Sequence, residues 1–268
     1  MGAALGGQDH TGRRAADPAA VGYWAGVMPA GEAERAASYL RRFEPELLAQ
    51  TRRCESLAEA AVHLIAAGGR RIRPLVVFAA CEAAGGDWRA AVDHAVAVEL
   101  VHTASLVHDD IVDRSGARRG LRAVHVEFGL RTALLCGDAL CFVAFELAAE
   151  KPGIVQVLAA TCREMCIGEA MAAGPAAAER KTAALFRAAA HIGAVVAGAD
   201  ESTAQALRCY GHLLGMAYQL RDDQLDGEGK ADPSQHARRA QACLEGLAPG
   251  TARGLLHFLA DYAARREE

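Results

Sequence analysis

Aromatic residues are scarce in this chain, 5% of 268 positions, and its β-branched runs are short, which excludes the ring-rich alternating strands of a sandwich or barrel. From Trp24 onward no two-residue hairpin signal separates alternating strands. Neither sign of charge dominates. A formal net charge of -4 leaves no broad basic face for nucleic acid or anionic lipid, so any basic site must be local. The eight cysteines form no CxxC pair and no zinc or disulfide spacing; Cys162 and Cys166, a helical turn apart, read as packed thiols in a reducing cytoplasm. No uninterrupted apolar run reaches the roughly 18 residues of a membrane span. The opening MGAALGGQDHTGRRAADPAA lacks the apolar core of a signal peptide, and Gly6 replaces the Ser or Thr of a myristoylation signal. Residues 1–22 are therefore expected to be a disordered tail before a single domain at 23–268. Walker-type loops and a GxSxG elbow are also absent, since Gly229-Lys230 has neither the upstream glycine nor the following Ser or Thr.

What remains is an apolar chain, 52% by composition, long enough to bury one sizeable core. Glycine and proline punctuate it at Gly68-Gly69, Gly85-Gly86, Gly116 with Gly120, Pro152-Gly153, Gly174-Pro175, Gly227 with Gly229 and Pro249-Gly250. Between these marks, stretches such as 88–113 and 201–226 repeat apolar residues at three and four. The expected fold is all-α.

One acidic pattern occurs twice. VHTASLVHDDIVD carries Asp109, Asp110 and Asp113, and GMAYQLRDDQLD carries Asp222, Asp223 and Asp226. On a helix both DDxxD motifs gather carboxylates within one turn, where like charges repel by a few tenths of a kcal/mol per pair. A lone copy reads more readily as a solvated, acidic helix end. Two copies closing two long apolar stretches ask for a shared counter-charge. Magnesium fits, being a hard cation held by one or two carboxylates together with substrate phosphates; the alternate-residue spacing of a calcium loop is missing. Two basic groups match an anionic ligand: Arg70, Arg71 and Arg73 after Gly68-Gly69, and Arg118 with Arg119 after the first acidic motif. Each alone reads as well as solvated surface.

The strings GGRRIRP, ELVHTASLVHDDIVD, ARRG, GDAL, GEAMA, KTAALF and GMAYQLRDDQLD, in that order, resemble the trans-isoprenyl diphosphate synthases, or polyprenyl synthetases. The likeness runs over roughly 46–226, with a weaker echo in LLHFLADYAARR. It implies an all-α, single-domain, isoprenoid-synthase-type bundle around a central cavity, a homodimer, and magnesium, about three ions, bridging both acidic motifs to an allylic diphosphate. By the same resemblance all six aspartates are metal ligands. Arg118, Lys181 and Lys230 bind the allylic diphosphate, and Lys181, Thr182 and Gln219 act at the developing carbocation. Arg70, Arg73, His102 and Arg119 form the pocket for isopentenyl diphosphate. Ala104 and Ser105 set chain length, and a small residue at 104 implies geranylgeranyl diphosphate or longer. The implied activity is a prenyltransferase.

Three features depart from the family pattern. Arg70 stands where Lys is usual, the stretch between Gly168-Glu169 and Lys181-Thr182 is short, and the region after Asp226 is shortened near the C-terminus. Two other readings therefore stay open: a terpene cyclase or a transferase to another acceptor on the same fold, and a non-catalytic partner of a longer synthase. Arg70, Arg73 and Arg119 argue against a cyclase, which needs no second diphosphate pocket. All six aspartates argue against an inert partner.

Overall fold

The computed structural model describes residues 19–172, 174–227, 229 and 231–267. Helices α1 (Ala19–Val27), α2 (Ala30–Thr51), α3 (Ala58–Ala66), α4 (Ile72–Ala83) and α5 (Val92–Val112) lead to a small hairpin, β1 (Ala117–Arg118) and β2 (Leu121–Arg122). Then follow α6 (Val124–Glu127), α7 (Leu130–Ala148), α8 (Pro152–Glu169), α9 (Pro175–Ala178), α10 (Ala184–Ala197), α11 (Glu201–Leu225), α12 (Ser234–Ala242) and α13 (Thr251–Arg265). The expected tail is thereby divided: 1–18 lie outside the described residues, whereas 19–22 already belong to α1, which buries Ala20, Val21 and Trp24.

Local chemistry sets the helix ends. Pro152 opens α8 where its missing N–H is not needed. At the start of α11 the Asp200 carboxylate accepts from the Thr203 amide at 2.7 Å, satisfying a donor that a helix start leaves open. The few rings are pooled: Tyr39, Phe43, Phe78 and Trp88 meet tilted or edge-on with centroids 5.0 to 6.1 Å apart. Full burial of Phe43 and Phe78 stabilises the fold by about 1.5–3 kcal/mol each.

Helix α5 runs through the core, buried on most sides and packed against α2, α4, α7 and α10. By length and composition the stretch Trp88–Val112 could cross a membrane. Burial within its own domain, 72% of the apolar window, accounts for its hydropathy. The reading without hairpins is corrected at one place: Arg118 pairs with Leu121 across a two-residue turn, in which Arg119 has φ 51° and Gly120 φ 76°. Two left-handed residues in a row suit the twist of a hairpin, and they carry Arg118 and Arg119 back toward the end of α5.

Candidate active site

The ends of α5 and α11 wall one cavity of about 910 Å³, presenting Asp109 and Asp113 from one side and Asp222 and Asp226 from the other. In each motif the first and last carboxylates are four residues apart and share a face, while the middle one is rotated away by about 100°. The expectation that all six aspartates face the metal space is corrected accordingly. Asp110 is 1% exposed and accepts from Arg118 Nε at 2.9 Å and Nη2 at 2.6 Å. Asp223 accepts from Gln219 Nε2 at 2.8 Å.

Lys181 and Thr182 lie on a π-helical turn, Glu179–Ala183, a distortion that recurs at functional sites. Two glycines hold that turn. A Cβ on Gly215 of α11 would stand 2.5 Å from Ala183 Cα, and one on Gly168 of α8 would stand 2.8 Å from the Lys181 amide nitrogen. Lys181 Nζ pairs with Glu169 and lies 3.6 Å from Asp109 Oδ2. Thr182 Oγ1 donates to Gln219 Oε1 at 2.5 Å, so Thr182, Gln219 and Asp223 form one hydrogen-bonded chain. Burial pushes the Asp109 carboxyl up to about 6; Lys181 opposes the shift, and Glu169 and Asp113 add to it.

A second cavity, about 360 Å³, adjoins the first and brings together Arg70, Arg73, His102 and Arg119, the four residues expected there. Arg73, His102, Arg119 and Tyr218 wall both cavities. The Arg73 guanidinium lies 4.4 Å over the Phe186 ring, with Nη1 3.3 Å from His102 Nε2, and its buried Nε has no hydrogen-bond partner. An anion would satisfy that donor. Desolvation holds the His102 pKa well below its ordinary value, with the charge of Arg73 adding to the effect. Arg70 leans on the rings of Tyr23 and Tyr262, 5.6 and 5.9 Å from their centroids. Arg71 instead pins the fold: it is left-handed at φ 54°, and it donates to Glu44 at 2.9 Å, Glu99 at 2.8 Å and the Ile65 carbonyl at 3.0 Å.

Among the described residues no three His, Cys, Asp or Glu side chains converge as a complete protein cage for a metal. Magnesium keeps waters and shares its shell with phosphates. The donor set that faces the cavity, Asp109 and Asp113 against Asp222 and Asp226, is hard oxygen on two opposed walls. Ser105 reaches the large cavity together with Leu106, Met165 and Cys166. Ala104 does not: it is 1% exposed within the core, so its expected place on the cavity floor is corrected. Lys230 lies outside the described residues. The sequence reading assigned no role to Glu169, Tyr218 or Arg266, although GEAMA, GMAYQLRDDQLD and LLHFLADYAARR contain them.

A family model described as Polyprenyl synthetase matches residues 54–238. The chain belongs to that family. It is 42% identical over 200 residues to the geranylgeranyl diphosphate synthase of Methanosarcina mazei, a match covering 68% of this chain and 61% of that protein. Among solved structures, the geranylgeranyl pyrophosphate synthetase of Pyrococcus horikoshii superposes with a TM-score of 0.78 at 26% identity, covering 85% of this chain and 96% of that one. A polyprenyl synthase from Caulobacter crescentus, complexed with calcium and isoprenyl diphosphate, gives 0.82 at 28% identity, covering 89% and 98%. The polyprenyl synthetase fold, all-α and single-domain, is thus shared. In sequence the chain spans about three fifths of the length of the curated relatives it matches, 61%, 61% and 58%.

Proposed function

We propose that the chain is a trans-prenyltransferase that condenses an allylic diphosphate with isopentenyl diphosphate, with geranylgeranyl diphosphate the favoured product. One observation carries this reading: an acid-walled cavity and an arginine-walled cavity adjoin and share Arg73, His102, Arg119 and Tyr218. Two anionic substrates can thereby be held with their reacting ends together. The names of the relatives from Methanosarcina mazei and Pyrococcus horikoshii support the substrate class.

Magnesium ions, held by Asp109, Asp113, Asp222 and Asp226, would supply the positive charge that stabilises a departing diphosphate. Arg118, fixed by Asp110, and Lys181, fixed by Glu169, grip the allylic diphosphate from the protein side. Thr182 and Gln219, already locked to each other, turn fixed dipoles toward the carbon that becomes positive, with no reorganisation needed as charge develops. Arg70, Arg73, Arg119 and neutral His102 orient the diphosphate of the second substrate. Leu106, Met165 and Cys166 surround the hydrocarbon and exclude water that would quench a carbocation. The alkene of the second substrate attacks that carbon, and the proton lost afterwards passes to the released diphosphate.

A homodimer is part of the same proposal. Helix α7 turns Leu134, Leu135 and Phe142 outward, Phe142 being 64% exposed, an apolar surface that a second copy would cover. The cysteines are free thiols, in keeping with a reducing cytoplasm. The test is to incubate the purified chain with magnesium, isopentenyl diphosphate and a series of allylic diphosphates, and to analyse products by mass spectrometry. Elongated linear diphosphates are expected, and a chelator abolishes them. Release of a cyclic hydrocarbon, or no condensation with any substrate pair, contradicts the reading.

A further inference from the structure

The two acidic motifs each meet a cation of this chain, but the two cations are held differently. Lys181, paired with Glu169, approaches Asp109 with a side chain that is 40% exposed. Arg266, just beyond the end of α13, approaches Asp222 with a side chain that is 3% exposed. Its guanidinium lies 4.0 Å over the Tyr218 ring, and Nη2 donates to the Tyr218 carbonyl at 3.3 Å and to Asp222 Oδ1. The backbone is tied as well. The Arg266 amide donates to the Tyr262 carbonyl at 3.0 Å, and its own carbonyl accepts from Arg221 Nε at 2.7 Å.

We propose that Arg266 is an internal counter-ion latched onto the second acidic motif, and that a divalent cation must displace it before Asp222 can join in holding a diphosphate. This rests on the diphosphate reading above. A carboxylate cluster at a helix C-terminus is opposed by its own mutual repulsion and by the helix dipole. A planar, buried guanidinium relieves both, and it repels any second cation that approaches the same oxygens. An ammonium on a half-exposed stem yields more readily. Cation loading is therefore ordered, with the Asp109 motif first and the Asp222 motif second. Because Tyr218 walls both cavities, unlatching Arg266 also frees a ring that the two pockets share.

The experiment titrates the full chain with Mn²⁺ in the presence of inorganic pyrophosphate by isothermal calorimetry. Wild type should bind in a tighter and a weaker phase. Arg266→Gln should strengthen the weaker phase by about tenfold, with Arg266→Lys falling between. Hydrogen exchange on the wild type gives a reading that does not depend on how well a variant folds: amides at 262–266 should exchange faster once Mn²⁺ and pyrophosphate are added. Unchanged or weakened binding in Arg266→Gln, or unchanged or increased protection at 262–266, overturns the latch alone. No binding of Mn²⁺ to either protein overturns both the latch and the metal-diphosphate reading.

Discussion

The two DDxxD motifs are spelled alike and sit alike at the ends of α5 and α11, yet their surroundings differ. The first lies beside a half-exposed lysine, and its leading carboxyl is pushed up to about 6, chiefly by burial. The second is clamped by an arginine stacked on a tyrosine. The spelling fixes which carboxylates share a face, because residues four apart on a helix align. The neighbours, brought in by distant segments, decide how readily each face is vacated for a metal. Motif and availability are separate properties.

The largest effect should come from removing either jaw. Asp109→Asn and Asp222→Asn should each lower kcat by about 100-fold or more, because a lost carboxylate misplaces charge needed at the leaving group, while circular dichroism stays helical. Near-normal turnover in both variants would break the comparison at its root.

Next come the turned-back aspartates. Asp110→Asn strands part of Arg118 beside a buried site and should reduce unfolding free energy in urea by about 2–3 kcal/mol. Asp223→Asn sits in a less buried hydrogen-bonded chain and should reduce it by about 1 kcal/mol or less. Equal losses would mean that the two middle positions are equivalent after all.

A third expectation concerns the part of α5 that lines the cavity below its aspartates. Ser105→Phe should shorten the products seen by mass spectrometry, since Ser105 reaches the cavity. Ala104→Phe should chiefly lower the melting temperature, because overpacking a filled core costs about 1–3 kcal/mol. Shortened products from Ala104→Phe at full stability would restore the position that the sequence favoured.

The smallest effect is a pH slope. His102, about two turns before Asp109 on α5, is held well below its ordinary value by desolvation. The unfolded chain binds the proton more readily, so stability is lost as pH falls through the ordinary value of 6.5. His102→Asn should remove up to one proton's slope, about 1.4 kcal/mol per pH unit, in urea melts between pH 7 and 5. An identical slope in the variant would place that proton on another residue.

Much of this was legible beforehand. Helical periodicity marked α5 and α11, and the doubled motif named the jaws. Arg70, Arg73, His102 and Arg119 do gather in one pocket. What the sequence hid depends on angles and on distant neighbours. Asp110 and Asp223 share the motif, but helix rotation turns them away. Ala104 and Ser105 differ by one residue, and that step separates core from cavity. The Arg119-Gly120 turn lacks the Asn-Gly or Asp-Gly that usually betrays a hairpin. Arg266 lies 44 residues from Asp222 in sequence, and only the docking of α13 against α11 brings them together.

The central claim is that the two acidic faces close on one diphosphate. A crystal structure of the chain with Mn²⁺ and a non-hydrolysable allylic diphosphate analogue, phased to locate manganese by anomalous scattering, tests it most directly. The account predicts manganese at Asp109 and Asp113, manganese at Asp222 with Arg266 withdrawn, and one diphosphate between them. Manganese at a single motif, or a diphosphate bound away from both, would contradict it.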